Sequence, residues 1–117
     1  MSKKAQEEFW KRFYEALDAG DADTASALFP DGTKIYLWDG KTFTTQAEFR
    51  AWFVELHSKS DNAKRRITKF EVDGNKSYVE VVLEANVNGK KEVVKLVHET
   101  LFEGDKLVEV RVDIKPL

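Results

Sequence analysis

Four polar side chains lie where the surrounding pattern is apolar, and their types suit ion pairing and proton transfer. Tyr14 and Asp18 are four residues apart in an amphipathic stretch, so they line up along one side of a helix. Arg65 and His98 lie in segments that alternate as strands. These four residues are the candidate chemical site.

Asp18 and Arg65 are candidates for a buried ion pair. Asp18 falls in the last turn of the predicted helix, where a carboxylate faces the negative end of the helix dipole and is disfavoured unless a cation holds it. Arg65 has the same strand parity as Ala63 and Ile67, which places it on the concave face, where a buried arginine needs a carboxylate partner. The alternative is an exposed carboxylate and one more member of a solvated basic run.

His98 and Tyr14 are candidates for a second pair. His98 shares a strand face with Leu96 and Thr100, and a neutral imidazole there could exchange a proton with a ligand near pH 7. A buried Tyr14 hydroxyl would need a hydrogen-bond partner, and His98 could supply it. The alternative is a core histidine without a chemical role. We expect His57 to be exposed and inert.

Three helices are predicted in the first half of the chain. Capping residues and apolar spacing place them from the Ser2 cap to Ala19, from the Asp21 cap to the turn at Pro30, and from the Thr45–Glu48 capping box to about His57. The third helix is predicted to bury four apolar side chains: Phe49, Trp52, Phe53 and Leu56.

A hairpin and a long antiparallel meander complete the predicted fold. The hairpin joins strands Ile35–Trp38 and Lys41–Phe43, and Asn-Gly and Asp-Gly type turns separate four strands at about 62–72, 77–87, 91–102 and 107–115. The parity of the first long strand breaks near Thr68–Lys69, which predicts a bulge and a bend. The inner face of the last strand is predicted to carry four residues: Val108, Val110, Val112 and Ile114. This α+β pattern predicts helices on one side of a curved sheet, with a cavity between them.

Composition excludes several functional classes. The chain has 117 residues, which predicts a single domain over 1–117. A formal net charge of -2 gives no basic field for nucleic acid or anionic lipid, and the absence of cysteine excludes thiolate catalysis. No apolar run reaches membrane-span length, and no targeting signal begins the chain, so we expect a cytoplasmic protein. Two dispersed histidines show no metal-ligand spacing.

The order of elements resembles the NTF2-like fold, a cone in which three helices pack on a strongly curved antiparallel or mixed sheet around a pocket. Five segments are also similar to de novo designed luciferases of that fold: RFYEALD (Arg12–Asp18), GDADTA (Gly20–Ala25), LWDG (Leu37–Gly40), TFT (Thr42–Thr44), and EFR followed after one residue by WF (Glu48–Phe53). All six glycines lie at predicted turns or helix ends, a regularity typical of designed sequences. We therefore expect a synthetic protein.

The resemblance implies a function for each unusual residue. It pairs Tyr14 with His98 and Asp18 with Arg65 around an imidazopyrazinone luciferin of the diphenylterazine or coelenterazine class. The reaction would consume O2 as co-substrate, need no cofactor or metal, and emit light. The implied apolar wall of the substrate pocket has seven members: Phe13, Leu17, Trp38, Phe53, Leu83, Leu96 and Val110.

Other functions remain open at this point. A non-catalytic binding module would use the same pocket for a small apolar ligand. A proton-transfer enzyme of the ketosteroid-isomerase type would need a carboxylate base, and the nearest strand-end carboxylate is Asp39. A transport or interaction protein would use the outer face of the sheet.

The outer sheet face generates a testable prediction about oligomeric state. Natural NTF2-like dimers pair through this face, but here it carries seven charged residues: Glu80, Glu84, Lys95, Glu99, Glu109, Arg111 and Asp113. Because charges are depleted from dry interfaces, we expect a monomer. Light scattering should give a molar mass that does not change with concentration, whereas a stable dimer would contradict the prediction.

Overall fold

The computed structural model describes the whole chain, from Met1 to Leu117, as three helices packed against one sheet. Its elements are α1 (Lys3–Asp18), α2 (Ala22–Ala27), β1 (Lys34–Tyr36), β2 (Thr42–Phe43), α3 (Gln46–Ser58), β3 (Ser60–Asp73), β4 (Lys76–Val87), β5 (Lys90–Glu103) and β6 (Lys106–Lys115). The predicted α+β architecture of three helices on a curved, mixed sheet is confirmed. None of the helices is long and apolar enough to cross a membrane.

The sheet is mixed and open, with strand order β2-β1-β6-β5-β4-β3. The four long strands form the predicted antiparallel meander, and β1 joins it by parallel pairing with β6. Strand β3 therefore lies at one edge, where its outward N–H groups have no strand partner. This open edge lies next to α1, where Arg65 of β3 contacts Asp18 at the end of the helix.

Two irregularities bend β3. The register shifts between Ile67 and Lys69, which confirms the bulge predicted near Thr68. A second shift, between Asp61 and Lys64, was not predicted, and Asn62 has a left-handed φ of 53° there. The bend near Thr68 keeps Arg65 and Ile67 on the same inner face as Phe70 and Val72 despite the parity break.

The last strand differs from its prediction. Thr100 pairs with Val110, but Phe102 pairs with Leu107, so one extra residue of β6 is accommodated between them. As a result Leu107 is buried in the core and Val108 is only half-buried. The predicted placement of Val108 on the inner face is wrong, because the bulge reverses the alternation at this end of the strand.

The short hairpin and β3 also differ from their predicted bounds. Strand β1 ends at Tyr36 and β2 spans only Thr42–Phe43, because the chain leaves the sheet before Trp38 and closes with a hydrogen bond from the Leu37 N–H to the Lys41 carbonyl at 2.9 Å. Strand β3 begins at Ser60, two residues earlier than predicted.

Two predictions for the end of α3 are wrong. Leu56 is exposed, whereas Phe49 and Phe53 are buried as predicted and Trp52 is half-buried. His57 is half-buried, because its ring packs against the backbone of Gly20 and lies 5.5 Å from the ring of Phe53.

Helix α1 supplies much of the core. The Ser2 side chain accepts a hydrogen bond from the Ala5 N–H and caps the helix, and the chain turns away at Gly20, whose φ is +70°. Its inner face is aromatic: the rings of Phe9, Trp10 and Phe13 meet edge-to-face or stacked at 5.1–6.5 Å. This face forms one wall of the interior.

The contact between Gly20 and His57 predicts that a side chain at position 20 would displace the imidazole. A Cβ added at Gly20 would lie 2.6 Å from His57 Nε2. Gly89, with φ +78° and nothing within 4 Å, is the matched control for backbone strain alone. We expect Gly20→Ala to lower the free energy of unfolding by about 1–2 kcal/mol more than Gly89→Ala in urea denaturation.

A third variant separates the collision with His57 from the backbone strain at Gly20. In a His57→Ala background the extra cost at Gly20 should disappear, because the colliding ring is gone. Equal costs for Gly20→Ala and Gly89→Ala in the parent protein would contradict the proposed collision.

Candidate functional site

An apolar cavity of about 230 Å³ lies between α1, α3 and the inner face of β3–β6. Its walls are aromatic and aliphatic, and the only other side chains that line it are Arg65 and His98. Polar groups that converge in an otherwise apolar pocket are the usual signature of a binding or catalytic site. This cavity is the candidate functional site.

The Asp18 carboxylate holds Arg65 with both of its oxygens. Arg65 Nη1 donates to Asp18 Oδ1 at 2.7 Å, and the backbone N–H of Arg65 donates to Asp18 Oδ2 at 2.9 Å. The second bond is possible because β3 is an edge strand, so a side chain can accept an N–H that an inner strand would give to its neighbour. The Arg65 side chain is only 8% exposed and that of Asp18 27% exposed, so the pair is largely removed from water.

Tyr14 and His98 form a second buried pair. The Tyr14 hydroxyl lies 2.6 Å from His98 Nδ1, which leaves Nε2 as the ring nitrogen free to bond a ligand. Trp10 fixes the plane of the imidazole, since its ring is parallel to that of His98 within 4° at a centroid distance of 5.5 Å. The imidazole is therefore held by a hydrogen bond at its edge and an indole on its face.

Burial sets the protonation state of this pair. Desolvation raises the pKa of Tyr14 far above its ordinary value and outweighs the opposing effect of the Arg65 charge. Desolvation, with a further contribution from the positive charge of Arg65, lowers the pKa of His98 to about 3. Both groups are thus neutral around pH 7. Because Nδ1 of His98 is the only acceptor for the Tyr14 proton, Tyr14 donates, and Nε2 carries the imidazole hydrogen.

The four candidate residues divide into two that line the cavity and two that stand behind them. Arg65 and His98 line the cavity, whereas Tyr14 and Asp18 do not and contact it only through their partners. Both pairs suggested from the sequence are present as hydrogen bonds. Tyr14 and Asp18 are positioning residues in this arrangement.

All seven apolar residues expected in the wall line the cavity. Six of them are buried or half-buried, and Trp38 is exposed at the mouth. Two further apolar residues of the mouth, Leu56 and Ile114, were not singled out for this role. Neither has a sequence signal, because both follow ordinary helix or strand spacing.

Trp10 stacks on His98 and was not among the site residues predicted from the sequence. Its stacking on His98 depends on the pairing of β5 with β4 and β6, which places His98 between Val79 and Val112 under α1. The one available signal was spacing, since Trp10 lies four residues before Tyr14 on the same line of α1.

No other part of the surface brings polar side chains together in an apolar pocket in this way. A wider groove of about 440 Å³ on the far side of the sheet runs along the cross-strand row Tyr78, Glu99 and Arg111, and its charges are of both signs. No cluster of three or more His, Cys, Asp or Glu side chains could hold a metal ion. Asp39 bonds Lys41 Nζ at 3.0 Å in an exposed turn, away from the cavity, so it cannot act as a base there.

Solved structures show the same fold at low sequence identity. A protein from Catenulispora acidiphila with a ketosteroid isomerase-like fold, in complex with trimethylamine, has a TM-score of 0.82 and 16% identity over 91% of this chain and 84% of its own. A protein from Jannaschia described as a SnoaL-like polyketide cyclase has a TM-score of 0.81 and 12% identity over 96% and 86%. An LEH-like epoxide hydrolase from M. tuberculosis has a TM-score of 0.77 and 12% identity over 92% and 80%.

These likenesses concern the fold, which is shared by proteins described as cyclases, isomerase-like proteins and hydrolases. No curated protein sequence is significantly similar to this chain. The family model described as "SnoaL-like domain" matches residues 10–110, which is most of the chain and includes all of the cavity except the end of β6. This chain therefore belongs to the SnoaL-like domain family of NTF2-like folds.

Proposed function

We propose that this protein is a cofactor-independent luciferase, an oxidoreductase of the monooxygenase type, which oxidises an imidazopyrazinone luciferin with O2 in the apolar cavity. One observation carries the proposal. A buried, carboxylate-held guanidinium and a neutral imidazole are the only polar side chains that line an otherwise apolar cavity. Such a cavity suits a flat aromatic substrate that becomes an anion.

The reaction begins with loss of a proton. The imidazopyrazinone core gives its N–H proton to water and becomes an anion, which Arg65 stabilises. An arginine in an apolar cavity exerts a stronger field on a nearby anion than it would in water, because the dielectric constant is low. Asp18 orients the guanidinium but uses only Nη1 among its side-chain N–H groups, so the others are available to the substrate.

Oxygen then completes the oxidation. The anionic carbon bonds O2, which is reduced to a peroxide as the substrate is oxidised. The terminal peroxide oxygen attacks the neighbouring carbonyl carbon, and the bond from that carbon to the ring nitrogen breaks to give a dioxetanone. Cleavage of its O–O and C–C bonds releases CO2 and an excited amide, which emits light.

His98 acts as a hydrogen-bond donor in this scheme. Since Tyr14 donates to Nδ1, the Nε2–H of His98 is available for an oxygen atom of the substrate. Its low pKa keeps the ring neutral, so it adds a directed donor to the cavity without adding a second positive charge. The apolar walls hold the aromatic core and exclude water from the excited product.

A non-catalytic binding module is the second candidate, and the same apolar cavity favours it. It would bind the luciferin without producing light, so one assay separates the two.

The first test is luminescence from the purified protein. Diphenylterazine and coelenterazine are mixed with it separately, in air and EDTA, beside Arg65→Ala and His98→Ala. We expect the parent to emit light. Luminescence should fall about 100-fold or more in Arg65→Ala, which lacks the positive charge, and about 10-fold or more in His98→Ala, which lacks the hydrogen-bond donor.

Matched controls come from the same chain. Arg66 is exposed and adjacent to Arg65, and His57 is the only other histidine, outside the cavity. Arg66→Ala and His57→Ala should keep activity within about twofold of the parent. No light from the parent above the luciferin's own background would overturn the luciferase proposal, and bound luciferin without light would support the binding module.

The neutral state of His98 predicts a pH dependence of stability. Its pKa is about 3 in the folded protein and near 6.5 when unfolded, so the unfolded chain binds the extra proton between these values. Stability is therefore greatest above about pH 6.5 and falls as the pH decreases towards 3. Between pH 7 and pH 5 this histidine should lower the free energy of unfolding by about 2 kcal/mol.

His98→Gln is the control, because glutamine does not titrate and can still accept a hydrogen bond from Tyr14. Urea denaturation at both pH values should show a loss about 2 kcal/mol smaller in the variant than in the parent. Identical pH dependence in the two proteins would mean that His98 titrates normally and is not desolvated.

A further inference from the structure

The cavity has an apolar mouth. Five large hydrophobic side chains of the protein are exposed: Trp38, Val54, Leu56, Ile114 and Leu117. Three of them, Trp38, Leu56 and Ile114, also line the cavity. They come from three separate elements, the β1–β2 turn, α3 and β6, so their convergence is a product of the tertiary fold. Exposed apolar patches of this kind commonly mark binding sites.

The side chains that line the cavity change from polar and buried at its inner end to apolar and exposed at its mouth. Arg65 and His98 are nearly inaccessible to solvent, whereas Trp38, Leu56 and Ile114 are 44%, 42% and 43% exposed. Ile114 pairs with Leu96 on the neighbouring strand, and Leu96 is buried in the cavity wall two residues before His98. A ligand that places its polar part against Arg65 and His98 therefore extends outwards over an apolar surface.

The size of the cavity makes this surface necessary for a large ligand. Pockets that bury most of a drug-sized ligand have volumes of about 300–1,000 Å³. The cavity here is about 230 Å³, so it encloses a fused ring system but not a core that carries several aryl groups.

We propose that the mouth formed by Trp38, Leu56 and Ile114 is a second subsite, which binds an aryl substituent of the ligand outside the enclosed cavity. The ring of Trp38 meets Trp52 at 66° and 6.3 Å, and Trp38 remains 44% exposed, so it offers an aromatic surface to that aryl group. The identity of the ligand as an aryl-substituted imidazopyrazinone rests on the proposed function. The mouth thus selects for ligand length, and the inner pair of Arg65 and His98 for charge.

A binding assay without light tests the subsite independently of the luciferase proposal. The probes are 2-naphthol, which represents the enclosed part of a ligand, and 6-phenyl-2-naphthol, which adds one aryl group along its axis. Dissociation constants are measured by fluorescence anisotropy. Trp38→Ala, Leu56→Ala and Ile114→Asn should each weaken binding of the phenyl-substituted probe by about 5–10-fold, and leave that of 2-naphthol within twofold.

Two control variants come from the same elements. Val54 lies on α3 with Leu56 and is 45% exposed, but it does not line the cavity, so Val54→Ala should change neither constant. Leu83 lies in the inner wall, so Leu83→Ala should weaken both probes alike.

Each outcome either supports or overturns the proposed subsite. Selective loss of the longer probe in the three mouth variants supports it, even if the parent emits no light. Equal changes for both probes, or no binding of either, overturn it. A parent dimer that Ile114→Asn dissociates in sedimentation would assign the patch to contact between copies of this chain, and would also overturn it.

Discussion

A guanidinium group loses most of its hydration in an apolar cavity, and its charge must then be balanced by a nearby carboxylate. This requirement links the ends of two elements in the structure. Helix α1 must end so that Asp18 reaches the open edge of β3, and β3 must bend so that Arg65 turns inward at that height. The bond from Asp18 to the Arg65 backbone also satisfies an N–H that the edge strand leaves unpaired. One carboxylate thus fixes the helix, the strand and the cation relative to each other.

The same loss of hydration controls His98. A cationic imidazole beside Arg65 would put two positive charges in one apolar cavity, so the neutral form is strongly preferred. Trp10 and Tyr14, both from α1, then determine where the neutral ring lies and which of its nitrogens carries the hydrogen. Because Asp18 belongs to the same helix, α1 orients both polar groups that line the cavity. A shift of that one helix would disturb both at once.

The sequence predicted the fold because its signals are local. The two polar pairs join residues 84 and 47 positions apart, so the residues alone left them open and the resemblance to designed luciferases of the same fold implied them. Caps, turns and alternation define the helices and the meander, and the parity break in β3 identifies the bulge that lets Arg65 and Phe70 share a face. The bulge in β6 could not be predicted, because Leu107 and Val108 are adjacent apolar residues and either would suit the core. The exposure of Leu56 and the burial of His57 depend on how α3 ends against Gly20, which is a tertiary contact with no sequence signature. The sequence likewise could not show that Arg65 and His98 line the cavity while Tyr14 and Asp18 stand behind them, because this depends on the tertiary packing of α1 against the sheet.

The parallel pairing of β1 with β6 has a consequence for the order of folding. Hairpins β3–β4, β4–β5 and β5–β6 join neighbouring segments and can form soon after those segments meet. The local partner of β1 is the two-residue strand β2, and Lys34–Tyr36 joins the long strands only by pairing with Glu109–Arg111, which lies far along the chain. Contacts between such distant segments carry a large loop-closure cost and form late. During synthesis on a ribosome, the hairpin that carries Trp38 cannot dock until β6 has emerged, so the mouth of the cavity is completed later than the helices and the first hairpins.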